Sequence, residues 1–333
     1  MKLLKDEAGN VAVLVALMMV VLLGSTALVT DVGVEFAAKQ KLWNALDAGA
    51  LSGVEEIFNG ASVARSTAYQ YVQNNGGSVN SINVNTATET ITLNGQQNVP
   101  LYFARVLGYK SANISIQVQA QAGTLVSGTG FAPIAVVEQN FAYGQTYTLS
   151  IGAGQNGSGN GGSTEGGSSE NESDGNSEDS SSGGDGSNDN QEYGSGNYGY
   201  LALGGTGAQQ FSQNLMSGYS GVLSVGEQVQ TEPGDMSGPV SQAISYRLQQ
   251  GEGWTFATAS NGCPRVILLP VVNTLNVNGR SNVTIVGFAA FYPDGLQGSG
   301  GHQQIVGQFL QMVVPGTIGQ GTNFGLYGVR LIG

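Results

Sequence analysis

The chain is poor in the residues that build compact metal sites and many catalytic sites. Among its 333 residues, Cys263 is the single cysteine and His302 the single histidine. An intrachain disulfide and a zinc site of paired thiols are therefore impossible, and a His-rich metal site is excluded by count. A serine-hydrolase triad would need His302, which lies in a Gly-rich stretch, and no Gly-x-Ser-x-Gly motif accompanies it. We expect an exposed loop histidine, a buried cysteine, and no catalytic residue, metal site or cofactor.

Basic residues are also scarce, at 11 Lys and Arg against 23 Asp and Glu. Nine of the acidic residues fall in residues 153–197, which leaves −3 of the formal net charge of −12 for the remaining chain. No basic surface for nucleic acid is indicated. The 153–197 tract has almost no aliphatic side chains, so we expect a disordered, solvated insertion. A Gly/Asp string at 183–189 occurs only once, which favours a tether over a calcium site.

One long uncharged segment stands out against this Gly-rich background. Residues 11–29 read VAVLVALMMVVLLGSTALV, 19 residues without a charge. A helix of that length reaches roughly 28 Å, close to the hydrocarbon thickness of a bilayer. A cleaved signal peptide and a buried core helix are the competing interpretations. The length of the run and its continuation into a helical pattern favour a retained transmembrane helix.

Apolar residues continue beyond this segment at helical spacing. Steps of three, four or seven join Val32, Phe36, Trp43, Leu46, Ala50, Val54 and Ile57. They form one apolar face, which belongs either to a stalk that packs on a partner helix or to the first helix of a folded domain. Lysines flank the span on both sides, so charge alone does not orient it. The charge-poor remainder suggests an exported bulk with the N-terminus inside.

The N-terminal residues resemble a known family. Gly9-Asn10-Val11-Ala12 opens the apolar run, Thr30-Asp31-Val32-Gly33 closes it, and the sequence LWNALDAGALSG follows at 42–53. This order and spacing resemble the N-terminal signature of TadE/TadG-like proteins of Flp (tight adherence) pilus assembly, over about residues 8–55. A weaker likeness continues at 103–108.

The resemblance implies a membrane and assembly role for a small set of residues: Gly9, Gly24, Asp31, Gly33, Trp43, Asn44 and Asp47. Pilins processed by a prepilin peptidase carry Glu at the fifth position after the cleaved glycine, whereas this chain has Leu14. The resemblance therefore implies an unprocessed anchor. Longer relatives often carry a von Willebrand A metal site, but the string at 179–183 lacks its final serine, and that site is not expected here.

The pattern as a whole predicts an α+β protein. The expected order is a transmembrane anchor and stalk helix (1–60), a small α+β unit with a β-β-α-β layer (61–127), and a β-rich domain (128–333) with the disordered insertion 153–197. Alternating polar and apolar residues predict strands at 81–85, 90–93 and 113–120. Helices are expected at 61–75, 99–107, 209–216 and 240–249. Further strands are expected at 134–137, 146–151, 198–203, 266–272, 282–291, 304–314 and 327–332.

Three functions are compatible with these features. The leading one is a non-catalytic, membrane-anchored, extracytoplasmic component of a Tad-type (Flp) pilus or related secretion system. Its expected partners are membrane lipid and other pilus-assembly or pseudopilin subunits that contact the N-terminal helix, with a possible homo-oligomer and no nucleic acid. The alternative is a surface-exposed binding module or adhesin that uses the acidic loop. A hydrolase built on acidic residues is the third, although no paired carboxylates stand in a recognisable spacing.

Overall fold

A computed structural model of the protein describes residues 7–151, 199–298 and 303–332. The chain forms two compact units. Unit one comprises Met1–Gly123, Met312–Ile318 and Tyr327–Gly333, and unit two comprises Thr124–Gln311 and Gly319–Leu326. The mixed α+β fold expected from the sequence is confirmed. The expected insertion at 153–197 and His302 lie outside the described residues.

A single long helix, α1, dominates the start of unit one. It runs unbroken from Glu7 to Glu55, which confirms the helix predicted through and beyond the apolar segment. After a short 3₁₀ turn at Ile57–Asn59, Gly60 adopts φ 111°, a conformation that glycine tolerates and most other residues do not. The second helix, α2, then spans Ala61–Asn74, as predicted.

Unit one also contains a sheet that covers the two helices. Its strands are β1 (Ser81–Asn85), β2 (Thr90–Pro100), β3 (Ser111–Gly128), β11 (Met312–Val313), β12 (Gly316–Ile318) and β13 (Leu326–Leu331). The order is β1-β2-β3-β13-β11, and β12 pairs with β3. The residues of β3 after Gly123 belong to unit two. The alternation predicted at 113–120 is confirmed: every second side chain of this stretch is buried.

The core of unit one forms where α1 and α2 pack on this sheet. Leu46, Ala50 and Val54 of α1 are fully buried together with Ile91 and Leu93 of β2. The distal half of α1 is therefore the first helix of a folded unit. The later residues of the predicted apolar stripe therefore lie in a domain core, whereas Val32, Phe36 and Trp43 are exposed, and a contact of that part with a partner helix stays a prediction.

One predicted helix is wrong over much of its length. Val99 and Pro100 do not begin a helix; they end β2 and pair with Ala112 and Ser111 of β3. Only Ala104–Leu107 forms a 3₁₀ turn. Proline fits the end of a strand as well as the first turn of a helix, and the long β2–β3 ladder decides between the two.

Unit two is built on an antiparallel sheet with one parallel edge. The strands are β4 (Val136–Val137), β5 (Thr146–Ile151), β7 (Gln228–Gln230), β8 (Ile267–Val272), β9 (Asn282–Gln297) and β10 (Gln303–Leu310). The order is β4-β8-β9-β10-β5, with β7 on β9. The apolar β8 lies between β4 and β9, a position that suits its continuous run of apolar residues. A short strand, β6 (Leu223–Ser224), pairs with the end of β3.

Helices α3 (Ala208–Ser217) and α4 (Ser237–Gln250) belong to unit two and match their predicted positions. Stacked and edge-on aromatic rings, including Phe141, Phe291 and Phe309, fill its core. Cys263 is buried and free, as expected. The strand predicted at 198–203 is wrong: in the described part of this segment, Tyr200 and Leu201 form only isolated bridges. Tyr200 pairs with Ile134 and Leu201 pairs with Thr231, and each pair is a single bridge outside the named strands.

The three-segment division predicted from sequence differs from these two units, because the helix, the small α+β unit and the last strands group together. The division at 1–60, 61–127 and 128–333 stays a prediction.

Candidate functional site

The N-terminal half of α1 exposes an apolar surface on all sides. Large side chains from Val11 to Val29 are mostly more than half exposed, and within the described residues this is the one helix long and apolar enough to cross a membrane. Its polar side chains are satisfied locally. The hydroxyls of Ser25 and Thr26 donate to the Leu22 carbonyl at 3.0 and 2.7 Å, and Thr30 donates to the Thr26 carbonyl. Such local bonding suits a helix that lies in lipid, where no water is available.

Asp31 lies at the end of the apolar run and binds a distant part of unit one. Its carboxylate accepts hydrogen bonds from three consecutive backbone N–H groups, those of Tyr102, Phe103 and Ala104. The closest are 2.8 Å from Tyr102 N and 2.6 Å from Ala104 N. These amides begin the 3₁₀ turn, whose first N–H groups have no partner within the turn itself. Asp31 therefore fixes the β2–β3 connection to α1.

The glycines of α1 fall into two classes by what surrounds them. A methyl group added at Gly24 or Gly33 would meet nothing within 4 Å. One added at Gly49 would collide with the Val72 side chain and lie 2.9 Å from the Ala68 carbonyl oxygen. Gly49 therefore permits close packing of α1 on α2, while Gly24 and Gly33 leave the helix backbone open to an approaching neighbour.

Three further predicted residues, Trp43, Asn44 and Asp47, lie in the packed part of α1 but are less buried than their neighbours Leu42, Ala45 and Leu46. Trp43 and Asn44 are exposed, and the Gln40 amide donates to Asn44 Oδ1 at 2.8 Å. Asp47 is half-buried, and its Oδ1 has no hydrogen-bond partner among the described residues. An exposed tryptophan beside an incompletely bonded carboxylate is an unusual arrangement on the surface of a folded unit.

Asp47 gives unit one a pH dependence. Burial raises the pKa of its carboxyl group above the ordinary value, and a hydrogen bond from the Trp43 side chain acts in the opposite direction. A raised pKa in the folded state means that the neutral acid contributes stability at low pH, which is lost as the pH rises through the folded pKa. We expect Asp47→Asn to stabilise the protein at pH 7 by about 0.5 kcal/mol, a small figure because solvent screens the partly exposed charge.

The advantage of Asp47→Asn should shrink as the pH falls toward about 4, the ordinary pKa of aspartate. Urea unfolding of both proteins across this range, followed by a signal from unit one, measures the difference. Glu35→Gln removes an acid from the same helix and serves as the matched control. Identical pH profiles for the parent and Asp47→Asn would contradict the assignment.

The two buried charged side chains described in unit two, Arg247 and Glu232, have structural partners. Arg247 donates from Nε to the Leu215 carbonyl at 2.6 Å and from Nη1 to the carbonyls of Pro264 and Val266. Burial lowers its pKa to about 10, against an opposing contribution from Cys263, so it remains a cation at neutral pH.

A second buried charge in unit two, Glu232, pairs with Arg280 at 3.2 Å. Its Oε1 also accepts a hydrogen bond from the Gly207 N–H at 3.3 Å. This contact holds the Gly-rich loop at 204–207, which comes directly before α3. Across residues 7–151, 199–298 and 303–332, no group of three or more His, Cys, Asp or Glu residues is placed to hold a metal ion.

The N-terminal part of the chain is similar to a known protein family. Residues 9–63 match the family described as putative Flp pilus-assembly TadE/G-like. The N-terminal region is TadE/G-like. The match confirms the resemblance seen in the sequence, and it covers the apolar segment, Asp31, and the part of α1 that packs in unit one. No curated protein and no solved structure matches the chain.

The TadE/G-like residues could be identified from the sequence, but some of their contacts could not. Gly9 lies in the first turns of α1, and Gly24, Asp31, Gly33, Trp43, Asn44 and Asp47 follow along the same helix. Their roles in assembly remain predictions. The bonding of Asp31 to residues 102–104 was missed, because 71 residues separate the partners. The close packing at Gly49 was also missed, although a small residue at this spacing in an apolar stripe was a usable signal.

Proposed function

We propose that this protein is a membrane-anchored structural or assembly component of a Tad-type (Flp) pilus or a related secretion system. The observation that carries the proposal is the TadE/G-like match over 9–63, which coincides with an exposed apolar helix that continues without a break into a folded core. One such N-terminal helix is compatible with a single-pass anchor. In this proposal both units lie outside the cytoplasm, and the protein acts through contacts and not through catalysis.

The surface proposed for partner subunits lies along α1. Gly24 within the apolar run and Gly33 just beyond it leave room for another helix to approach closely, as small residues do in packed transmembrane helices. Beyond the membrane, Trp43 and Asn44 are exposed beside Asp47. Exposed tryptophans are frequent among residues that dominate binding energy. The partners would be pseudopilins, other pilus-assembly subunits or a second copy of this chain.

Replacement of Trp43 tests the assembly role. We expect Trp43→Ala to reduce cross-linking to pilus-assembly subunits in the native host by roughly tenfold, the effect of removing one dominant interface residue. The number of surface pili should fall with it, while thermal stability should fall only slightly, because the half-exposed side chain loses little packing and one hydrogen bond to Asp47. Tyr71→Ala removes an aromatic residue of similar exposure, 46% against 43% for Trp43, and should change neither readout.

The same cells test the topology. Protease added to intact cells, after the outer layers are permeabilised, should digest the two units while a cytoplasmic marker survives. Digestion only after lysis would contradict the extracytoplasmic assignment. Normal pili in a strain that lacks the protein, together with a loss of surface binding, would overturn the assembly role and favour the adhesin alternative.

A further inference from the structure

A short connection in unit one exposes apolar side chains that its own fold does not cover. Residues 101–110, between β2 and β3, are called here the 101–110 loop. Val106 is 89% exposed and Leu107 79% exposed, and the large side chains of Tyr102, Phe103 and Tyr109 are also exposed. Five large exposed side chains thus fall within eight positions of the chain, and together they are called here the apolar patch. Such patches on soluble surfaces usually mark a site that contacts a partner or a membrane.

The position of this loop along α1 is fixed. Asp31 holds the backbone amides of Tyr102, Phe103 and Ala104. Asp31 comes two residues after Val29, the last residue of the uncharged run. At 1.5 Å per residue, that places it about 3 Å along the helix axis beyond the apolar segment. The loop is therefore tied to α1 at the level where a membrane-spanning segment would leave the hydrocarbon.

The composition of the loop fits the boundary between hydrocarbon and headgroups. Tyrosine and other aromatic residues concentrate at this depth because their rings are apolar and their edges polar. Arg105 and Lys110 supply two positive charges, and residues 101–110 contain no Asp or Glu. Basic residues at this level are attracted to anionic lipid headgroups. A long basic side chain can also keep its charge in water while its stem lies along apolar surface.

We propose that the 101–110 loop inserts into the membrane interface and forms a second lipid contact beside the α1 span. Tyr102, Phe103, Val106, Leu107 and Tyr109 enter the headgroup and upper acyl region, and Arg105 and Lys110 face anionic headgroups. Asp31 holds the loop at this depth. The inference rests on the proposed membrane span, and it adds a contact that the TadE/G-like match does not describe.

A bilayer explains this patch better than a second protein copy does. The patch lies at the same position along α1 as the end of its exposed apolar surface. It carries a positive charge, whereas the chain as a whole has a net charge of −12. An acidic second copy and an anionic bilayer would both attract a positive loop, so charge does not separate these two occupants. The continuity of the patch with the apolar run of α1 favours lipid. The Asp31 bonds also leave the loop little freedom to move away from the membrane surface.

Depth-dependent quenching tests the proposal on the full-length protein. The chain is placed as a single copy in nanodiscs of phosphatidylethanolamine and phosphatidylglycerol, in a Cys263→Ala background. An environment-sensitive fluorophore is attached to Val106→Cys, Leu22→Cys or Val63→Cys in separate samples. Lipids with a doxyl group near the top of the acyl chain then act as quencher. At Val106 we expect a blue-shifted emission and a loss of roughly half the fluorescence, as for a group at interfacial depth.

The other two positions are controls. Leu22 lies within the apolar run and reports the span itself. Val63 is an exposed residue at the start of α2, and its neighbour Ala64 lies opposite Gly53 of α1. Gly53 is 22 residues beyond Asp31, which is roughly 33 Å along the helix. Val63 should therefore remain unquenched and emit as in water.

The outcomes separate the loop from the span. Quenching at Leu22 and Val106 but not at Val63 supports the proposal. Quenching at Leu22 with water-like emission at Val106 overturns the loop contact and leaves the span intact. Water-like emission at Leu22 as well overturns the membrane anchor and the loop together. Protection of Val106 that occurs only with two copies per disc overturns the lipid assignment in favour of a protein contact.

Discussion

A protein that lacks residues 1–30 will move from the membrane fraction to the soluble fraction. The deletion removes the whole uncharged run, Val11–Val29, but keeps Asp31 and every residue of α1 that is buried in unit one. Insertion of a spanning helix is effectively irreversible, whereas a small interfacial contact gives only weak, reversible binding. We therefore expect nearly complete release after an alkaline wash, measured by fractionation and immunoblotting.

A replacement span provides the matched control. An unrelated uncharged helix of the same length, joined directly before Thr30, should restore membrane retention because retention depends on length and apolarity. It should not restore cross-linking to pilus-assembly subunits if Gly24 is part of the contact surface. Membrane retention of the truncated protein through an alkaline wash would show that the anchor lies elsewhere in the chain.

Gly49→Val should strongly destabilise unit one. An added methyl group at Gly49 already collides with the Val72 side chain and comes within 2.9 Å of the Ala68 carbonyl oxygen and 3.1 Å of Leu93 Cδ2. The backbone carbonyl cannot move without shifting α2. We expect an unfolding free energy lower by about 3 kcal/mol, the upper part of the usual range for overpacking. For a folded unit of this size the melting temperature should fall by roughly 10 °C.

Gly33→Val is the control for Gly49→Val, because the same change is made in the same helix. Gly33 has open space around it, so the change should alter the melting temperature little in detergent-solubilised monomer. Hydrogen exchange locates the effect: faster exchange in α2 and β2 is expected for Gly49→Val alone. Equal melting temperatures for the two variants would mean that α1 and α2 do not pack as described.

The helices and most strands of this protein could be predicted from local pattern. Alternating polar and apolar residues indicate the strands at 81–85 and 146–151. Helical spacing indicates the helices at 61–74 and 237–250. The segment at 99–107 could not be resolved in this way. Pro100 suits both a helix start and a strand end, and the decisive influence is the pairing with Ser111 and Ala112 across the hairpin. Such pairing is non-local and leaves little trace in the segment itself.

The candidate site shows the same division. The TadE/G-like residues of α1 can be recognised in the sequence because they lie in one short segment with a characteristic order and spacing. The segment that binds Asp31 does not stand out in the sequence. Its three residues, Tyr102–Ala104, bind through backbone N–H groups, which almost every residue type has. The grouping of the last strands with α1 in unit one was also beyond sequence pattern, because it depends on how β13 pairs with β3.

The unbroken course of α1 from the apolar run into the core of unit one has a mechanical consequence. Gly24 and Gly33 lie within the helix without interrupting it, and no proline occurs between Glu7 and Glu55. A continuous helix resists bending much more than a loop of equal length would. Tilt or rotation of the exposed apolar half of α1 should therefore move unit one with it as a rigid body. If the apolar half of α1 is the proposed membrane span, a partner that tilts or twists it would reorient unit one without unfolding any part of it.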